Sequence, residues 1–332
     1  MKKLFTLILA ALTAMTCVLF VGCGKDSSVT VSVYAPDGAP ALAIAKFIND
    51  NETFGTTRKF EYNVVSASEI KNAMLVKGAD IVILPLNDAT KIYKDQANGI
   101  DDYVMAAVIT HGNLYVMSQA DITSVSDLVG KVILVPNRGQ VPDWTLKFAI
   151  ENSGLEFEES ETAVEGKVAL KYPVGGASAI PALLKTDATA IGLLPEPAAT
   201  AVNVSSANAV GYKLNLQELY SNAEKSYPQA VMMVKRSTVE TNAELMGKIG
   251  AAIEGAVAWA TENPTDAVNA IKTKYESSTL NPAMLKPATI ENCKIYWQSA
   301  QSAKGAVLNY INNIRIVDEN AAATVDNDFF LK

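Results

Sequence analysis

Short apolar runs alternate with segments of helical period along this chain, and part-way along the alternation begins again. "VTVSVYA" (29–35) reads as a strand and "PALAIAKFIND" (40–50) as the helix after it. "KFEYNVVS" (59–66) is a second strand, "ASEIKNAMLVKG" (67–78) a helix closed by Gly78, and "ADIVILP" (79–85) a buried parallel strand. "NDATKIYKDQ" (87–96) opens a further helix with Asn87 or Asp88 as its N-cap. Two strand-like runs follow, 103–112 and 113–119. The restart is "SVSDLVGKVILVPNRGQVPDWTLKFAIENSGL" (124–155): a helical turn, a strand, a loop and a helix. A Gly-opened helix at 175–188, a strand at 189–199 and a strand at 227–237 come next, then mainly helices at 238–262, 264–274 and 282–315, the last interrupted by Pro287. Apolar residues at helical spacing mark 242–260 (Leu245, Ile249, Ile253, Val257) and 290–314 (Ile295, Val307, Tyr310, Ile314) as packing helices.

Strand–helix alternation of this kind builds a sheet with helices on its faces, and a restart means a second such unit. The expected fold is therefore α/β and two-lobed, each lobe a mostly parallel sheet flanked by helices. Lobe I takes residues 29–112 and 228–332, and lobe II takes 113–227. Ligands of open parallel sheets bind at the carboxyl ends of the strands. With two sheets facing each other, the expected site is the cleft between the lobes.

The first 28 residues differ in character. Lys2 and Lys3 precede a stretch, 4–22, that is apolar apart from three threonines, Cys17 and a closing glycine. This pattern is expected of a bacterial export signal, and it is close to the shortest membrane span. Val21-Gly22-Cys23 resembles a lipobox, the recognition site of bacterial lipoproteins, with Phe20 where leucine is usual and Leu19 beside it. The resemblance implies a signal peptide at 1–22, cleavage before Cys23, a lipid on the Cys23 thiol, and residues 23–28 as a polar tether. An uncleaved anchor helix is the alternative.

Removal of that signal leaves 310 of the 332 residues, enough for two domains. At 49% hydrophobic and 19% charged, the chain is suited to a packed core and unlike a disordered one. A net charge of −7 with no basic patch argues against nucleic acid as a partner. One histidine, His111, rules out a multi-histidine metal site or a histidine acid–base pair. Cys293 is alone after cleavage, so neither an intrachain disulfide nor a cysteine metal site can form, and it reads as a small buried apolar residue. The chain carries none of GxGxxG opening a βαβ unit, GxxxxGK[ST] or GxSxG. No cofactor is expected.

Four fragments, in order, resemble one family. "DLVGKVILVPNRGQVPDWTLKFAIENSGL" is similar to the second-lobe start of type II periplasmic substrate-binding proteins, in the nitrate/sulfonate/taurine and thiamine-precursor branch. "AIGLLPEPAAT" resembles that branch's LPEP strand end, "ENPTDAVNAI" (262–271) its NPeeA helix start, and "VDNDFFLK" its carboxyl tail. The resemblance implies a monomer tethered outside the cell, on the outer face of the bacterial membrane. It would carry a small solute to an ABC permease, and through that to the permease's ATPase, without chemistry of its own.

The strand-end loops supply the candidate ligand residues. In "YAPDGAPA", Asp37 either caps the next helix or binds ligand, Gly38 allows a tight turn, and Tyr34 either stacks on a planar ligand or packs in the core. Asn87 and Asp88 follow the third strand, as ligand groups or as caps. His111 and Asn113 lie where the chain crosses between lobes, and His111 is either a contact or a structural histidine. "PNRGQVPDW" offers Arg138 for an oxyanion clamp or a surface ion pair, Gly139 for close backbone approach, and Trp144 as an aromatic face. Gly175, Gly176 and Ser178 open a helix as an anion nest. Glu196, held between prolines, suits a ligand amine, ring N–H or hydroxyl. Three carboxylates against one arginine favour a neutral or mixed-charge solute, first a heterocyclic vitamin precursor and second a sulfonate or other organic acid.

Two rival functions stand beside transport. One is an enzyme on the same fold, such as a menaquinone-pathway dehydratase or a pyrimidine-precursor synthase, which an export signal argues against. The other is a ligand-sensing module for a membrane partner.

Overall fold

The computed structural model describes residues 30–76, 78–95, 103–220 and 226–332. The signal, Cys23 and the tether lie outside the described residues. In chain order the elements are β1 (Thr30–Pro36), α1 (Ala39–Asp50), β2 (Lys59–Val65), α2 (Ile70–Leu75), β3 (Ile81–Pro85), α3 (Leu86–Lys94), β4 (Tyr103–His111), β5 (Leu114–Ser118), β6 (Val132–Leu134), α4 (Val141–Asn152), β7 (Phe157–Glu159), β8 (Val168–Lys171), α5 (Ile180–Thr186), β9 (Ile191–Pro195), α6 (Ala198–Ser205), β10 (Gly211–Asn215), β11 (Pro228–Lys235), α7 (Arg236–Glu240), α8 (Leu245–Glu262), α9 (Pro264–Lys274), α10 (Pro287–Asn292), β12 (Ile295–Ser299) and α11 (Ala300–Val317).

Two six-stranded sheets form, in the orders β12-β4-β11-β3-β1-β2 and β10-β5-β9-β6-β8-β7. In the first, β1, β2, β3 and β4 run one way, and β11 and β12 run against them. In the second only β5 is reversed. This is the two-lobed, mostly parallel architecture that the alternation predicts. The chain passes from lobe I into lobe II between His111 and Leu114.

Burial follows the strand period. Val31 and Val33 of β1 enter a core with Leu42, Ile44 and Phe47 of α1 and Leu245, Ile249 and Ile253 of α8. Tyr34 turns to the opposite face of the sheet. A second core spans both lobes. It joins β3 and β4 residues to Trp144 and Leu146 of α4 through Val307, Tyr310 and Ile314 of α11. Thus α11 leaves the first sheet yet packs on the second lobe. A third, smaller core lies under α5 and α6. Cys293 is buried with its thiol unpaired, as a small core residue.

The structure departs from the sequence reading in four places. The 238–262 helix is two, α7 and α8, broken between Glu240 and Leu245. The 282–315 helix is two helices separated by β12, with Ile295 on that strand. Lys294, at φ 49, turns the chain, and "IYWQS" then pairs antiparallel with β4. The short strands β7, β8 and β10 lie in stretches that carry no clear period. Finally, neither predicted cap forms. The N-cap positions of α1 and α3 are Gly38 and Pro85, without side-chain capping bonds. Neither glycine nor proline carries a side-chain acceptor, and Pro40 in the first turn of α1 also removes a backbone donor that a cap would otherwise serve. Among the described residues no helix is long and apolar enough to cross a membrane.

Candidate functional site

The ends of β1, β3 and β4 in lobe I and of β6, β8 and β9 in lobe II carry all the candidate residues. The lobes meet at the ends of β3 and β6. Asn87, in the first turn of α3, donates from Nδ2 to the Gly139 carbonyl at 2.9 Å. Trp144 donates its indole N–H to the same oxygen at 2.8 Å. Gly139 has φ +73, a backbone region that glycine enters without strain, and its N–H donates to Asp143 Oδ2 at 2.7 Å. One residue further along each loop, the Gln140 side chain bonds Asp88, while burial pushes the Asp88 carboxyl above its ordinary value. Positions 87–88 are thus matched against 139–140.

Behind Gly139 lies a charge cluster. Asp143 is fully buried and accepts hydrogen bonds from Gly139 N, from the Tyr172 hydroxyl at 2.8 Å and from Lys147 Nζ at 3.1 Å. Lys147 also reaches Glu159 at 3.0 Å, and its ammonium sits 4.7 Å from the centroid of the Trp144 ring. Glu159 in turn pairs with Arg138, whose guanidinium lies over Tyr172. The Tyr172 hydroxyl is pushed up, first by burial and then by Asp143. A cleft of about 330 Å³ opens beside this cluster, walled by Trp144 and Phe157 and by Val317 and Asp318 at the end of α11.

A second group surrounds the crossing. Asn113 donates from Nδ2 to the Cys293 carbonyl at 3.3 Å, and its own carbonyl accepts from Glu196 N at 3.0 Å. The Glu196 carboxylate, buried and raised by desolvation, accepts from Thr200 N (3.0 Å), Thr200 Oγ1 (3.1 Å) and the Tyr212 hydroxyl (2.7 Å). His111 stacks on Tyr296 with centroids 3.6 Å apart, and its nitrogens lie 3.3 Å from the Lys294 carbonyl and 3.1 Å from Gln298 Oε1. Burial lowers its pKa to about 4. Among the described residues, no group of three or more His, Cys, Asp or Glu side chains is arranged to hold a metal ion.

The geometry is that of two α/β lobes joined at their strand ends. Residues 67–267, more than half of the chain, match the family model described as NMT1/THI5 like. The chain belongs to the NMT1/THI5-like family. No curated protein matches it in sequence. Solved structures share the fold. An ABC transporter from Parabacteroides distasonis superposes at TM-score 0.72 with 20% identity, covering 92% of this chain and 99% of that one. The periplasmic aliphatic sulphonate binding protein SsuA from Escherichia coli gives 0.66 with 13% identity, over 92% and 93%. The alkanesulfonate-binding protein SsuA from Xanthomonas axonopodis pv. citri, bound to MOPS, gives 0.60 with 12% identity, over 88% and 95%.

In this member of the NMT1/THI5-like family, Asn87, Asp88, Arg138, Gly139 and Trp144 come together at the seam. Gly176 lies against the same loop, since a Cβ there would stand 3.7 Å from Asn137 Oδ1. Gly175 and Ser178 stay within their own exposed turn, where Ser178 Oγ donates to the Gly175 carbonyl at 2.8 Å. Asp37 turns away from its helix and accepts from Ser278 Oγ (2.7 Å) and Thr279 N (3.1 Å). Gly38 has φ +98 and open space at its Cβ position, and Tyr34 is half-buried. The sequence reading missed Asp143, Lys147, Glu159, Tyr172 and Gln140. Asp143 and Lys147 stand i, i+4 on α4, and that spacing is the signal that could have found them.

Proposed function

We propose that this chain is an extracytoplasmic solute-binding lipoprotein. A lipid on Cys23 anchors it to the outer face of the bacterial membrane. It captures a small organic solute, a heterocyclic vitamin precursor or a sulfonate-like compound, between lobe I (29–112 and 228–332) and lobe II (113–227). As a monomer it hands that solute, unchanged, to an ABC permease. The observation that carries the reading is the seam. Strand-end residues of both lobes converge on the Gly139 carbonyl, so a group bound there would touch both lobes at once. A hinged pair of lobes closes on whatever both contact. Family membership and the structural neighbours, an ABC transporter and a periplasmic aliphatic sulphonate binding protein, support the same reading.

Mass spectrometry of small molecules that co-purify with the processed protein tests it, followed by a thermal-shift screen. A ligand at 100 times its Kd stabilises by about 2.7 kcal/mol, a visible rise in Tm. A co-purified solute recovered chemically altered after incubation would overturn the binding role. For the anchor, Cys23→Ser should release the protein from the membrane fraction or leave it unprocessed. Normal cleavage with retention in the membrane would refute lipidation at Cys23.

A further inference from the structure

Of the buried carboxamide oxygens that accept no hydrogen bond from the described residues, two stand just past β3 and β4: Asn87 Oδ1 and Asn113 Oδ1. Both residues are almost wholly buried, at 0% and 1% exposure. Their amide orientations are fixed. Each Nδ2 already donates to a backbone carbonyl, of Gly139 and of Cys293 respectively, and a flipped amide would set oxygen against oxygen. The Asn87 bond also crosses between the lobes, so its planar carboxamide, with the unpartnered oxygen, lies in the seam. Buried acceptors are normally satisfied. An unsatisfied one disfavours the closed arrangement by about one to two orders of magnitude in its equilibrium constant.

The cations of the same seam are in the opposite condition. Arg138 is paired with Glu159, and Lys147 is held by Asp143 and Glu159. On the lobe I side, Lys71 and Lys91 act on the Asp88 carboxylate. An oxyanion entering here would compete with protein carboxylates for every one of these charges. A neutral group with an N–H or O–H would meet an acceptor that nothing else uses.

We propose that Asn87 Oδ1 is held for the solute, and that it makes the cleft select a neutral hydrogen-bond donor over an oxyanion. This rests on the solute-binding reading and narrows its ligand class. It also couples closure to binding. Closing without such a solute buries the oxygen unsatisfied, whereas closing on a donor satisfies it, so the donor shifts the population toward the closed form.

The test uses the processed protein in mild detergent, titrated calorimetrically with two probe sets: cytosine and nicotinamide as neutral N–H donors, ethanesulfonate and nitrate as oxyanions. The donors should bind at least tenfold more tightly. Asn87→Leu, which removes the acceptor, should weaken donor binding about tenfold or more. Oxyanion binding, which makes no use of that acceptor, should stay within about threefold of the parent in the same variant. Preference for the oxyanions, or binding by neither set, overturns the inference. So does an equal loss toward both probe sets in Asn87→Leu, which would leave Asn87 only a latch between lobes. A co-purified oxyanion would sink this inference and leave the solute-binding reading standing. The absence of any co-purified or screened ligand would sink that reading as well.

Discussion

The Tyr310 hydroxyl lies 3.0 Å from Thr145 Oγ1, both fully buried, and this pair ties the last long helix of lobe I to the first helix of lobe II. Tyr310 also stacks on Tyr227, with centroids 5.6 Å apart, and Tyr220 joins the same aromatic group. These rings lie in the core that α11 carries from one lobe to the other. Tyr310→Phe keeps the ring and removes the bond to Thr145, at a cost of about 1 kcal/mol. Tyr310→Ala also leaves a cavity and should cost about 3–5 kcal/mol. Urea midpoints of the two variants check this. A loss in Tyr310→Ala no larger than in Tyr310→Phe would mean the ring carries little of the inter-lobe packing.

Gly112 sits where the chain leaves β4 for the second lobe, and there is no room beside it. A Cβ would stand 2.7 Å from Tyr227 Cε1 and 2.9 Å from Gln217 Cγ. The Gln217 side chain holds this crossing by accepting from Leu114 N (2.9 Å) and donating to the Leu114 carbonyl (3.1 Å). Gly112→Ala should therefore displace Tyr227 or Gln217 and destabilise by about 1–3 kcal/mol. An unchanged Tm would show that the crossing relaxes freely.

Lys147 gives a prediction of opposite character, because its partner cannot escape. Replacing it with methionine leaves the Asp143 carboxylate fully buried, with only Gly139 N and Tyr172 as donors. Breaking a buried pair from one side costs about 3–5 kcal/mol. The double variant Asp143→Asn/Lys147→Met should recover a substantial part of that loss in chemical denaturation. A double variant as unstable as Lys147→Met alone would mean the penalty lies in lost packing and not in the stranded charge.

Sequence period showed the βα order, the restart and the loops that carry the site, because strand and helix faces are written locally. It hid β12, since Ile295, Val307, Tyr310 and Ile314 fall at spacings a single helix would also produce. What separates strand from helix there is a turn at Lys294 and a pairing with β4, which lies far away in sequence. The same limit applies to the site. Asn87, Gly139 and Arg138 are visible as loop residues. That Asn87 spends its nitrogen on Gly139, 52 residues away, and that Arg138 spends its charge on Glu159, depends on how the lobes are set against each other. Asp37 is the sharpest case: its position suggested a local cap, and its partners lie more than 240 residues on.

His111 makes stability fall on mild acidification. Burial holds its pKa near 4, while an unfolded chain returns it to about 6.5. The folded state thus binds fewer protons than the unfolded state between these values. Stability contributed by the neutral ring is present above about pH 6.5 and is lost as pH falls toward 4. The full difference is roughly 3 kcal/mol, an upper figure for a ring that can shift toward solvent. Asp88 and Glu196, raised by burial, act in the opposite sense, since lowering the pH neutralises them in the fold. A comparison with His111→Gln isolates the histidine. The parent should lose stability relative to the variant between pH 6.5 and 4, with the two curves parallel above pH 7. Parallel curves across the whole range would mean that the ring titrates normally in the folded protein, and that its stack on Tyr296 does not keep water away.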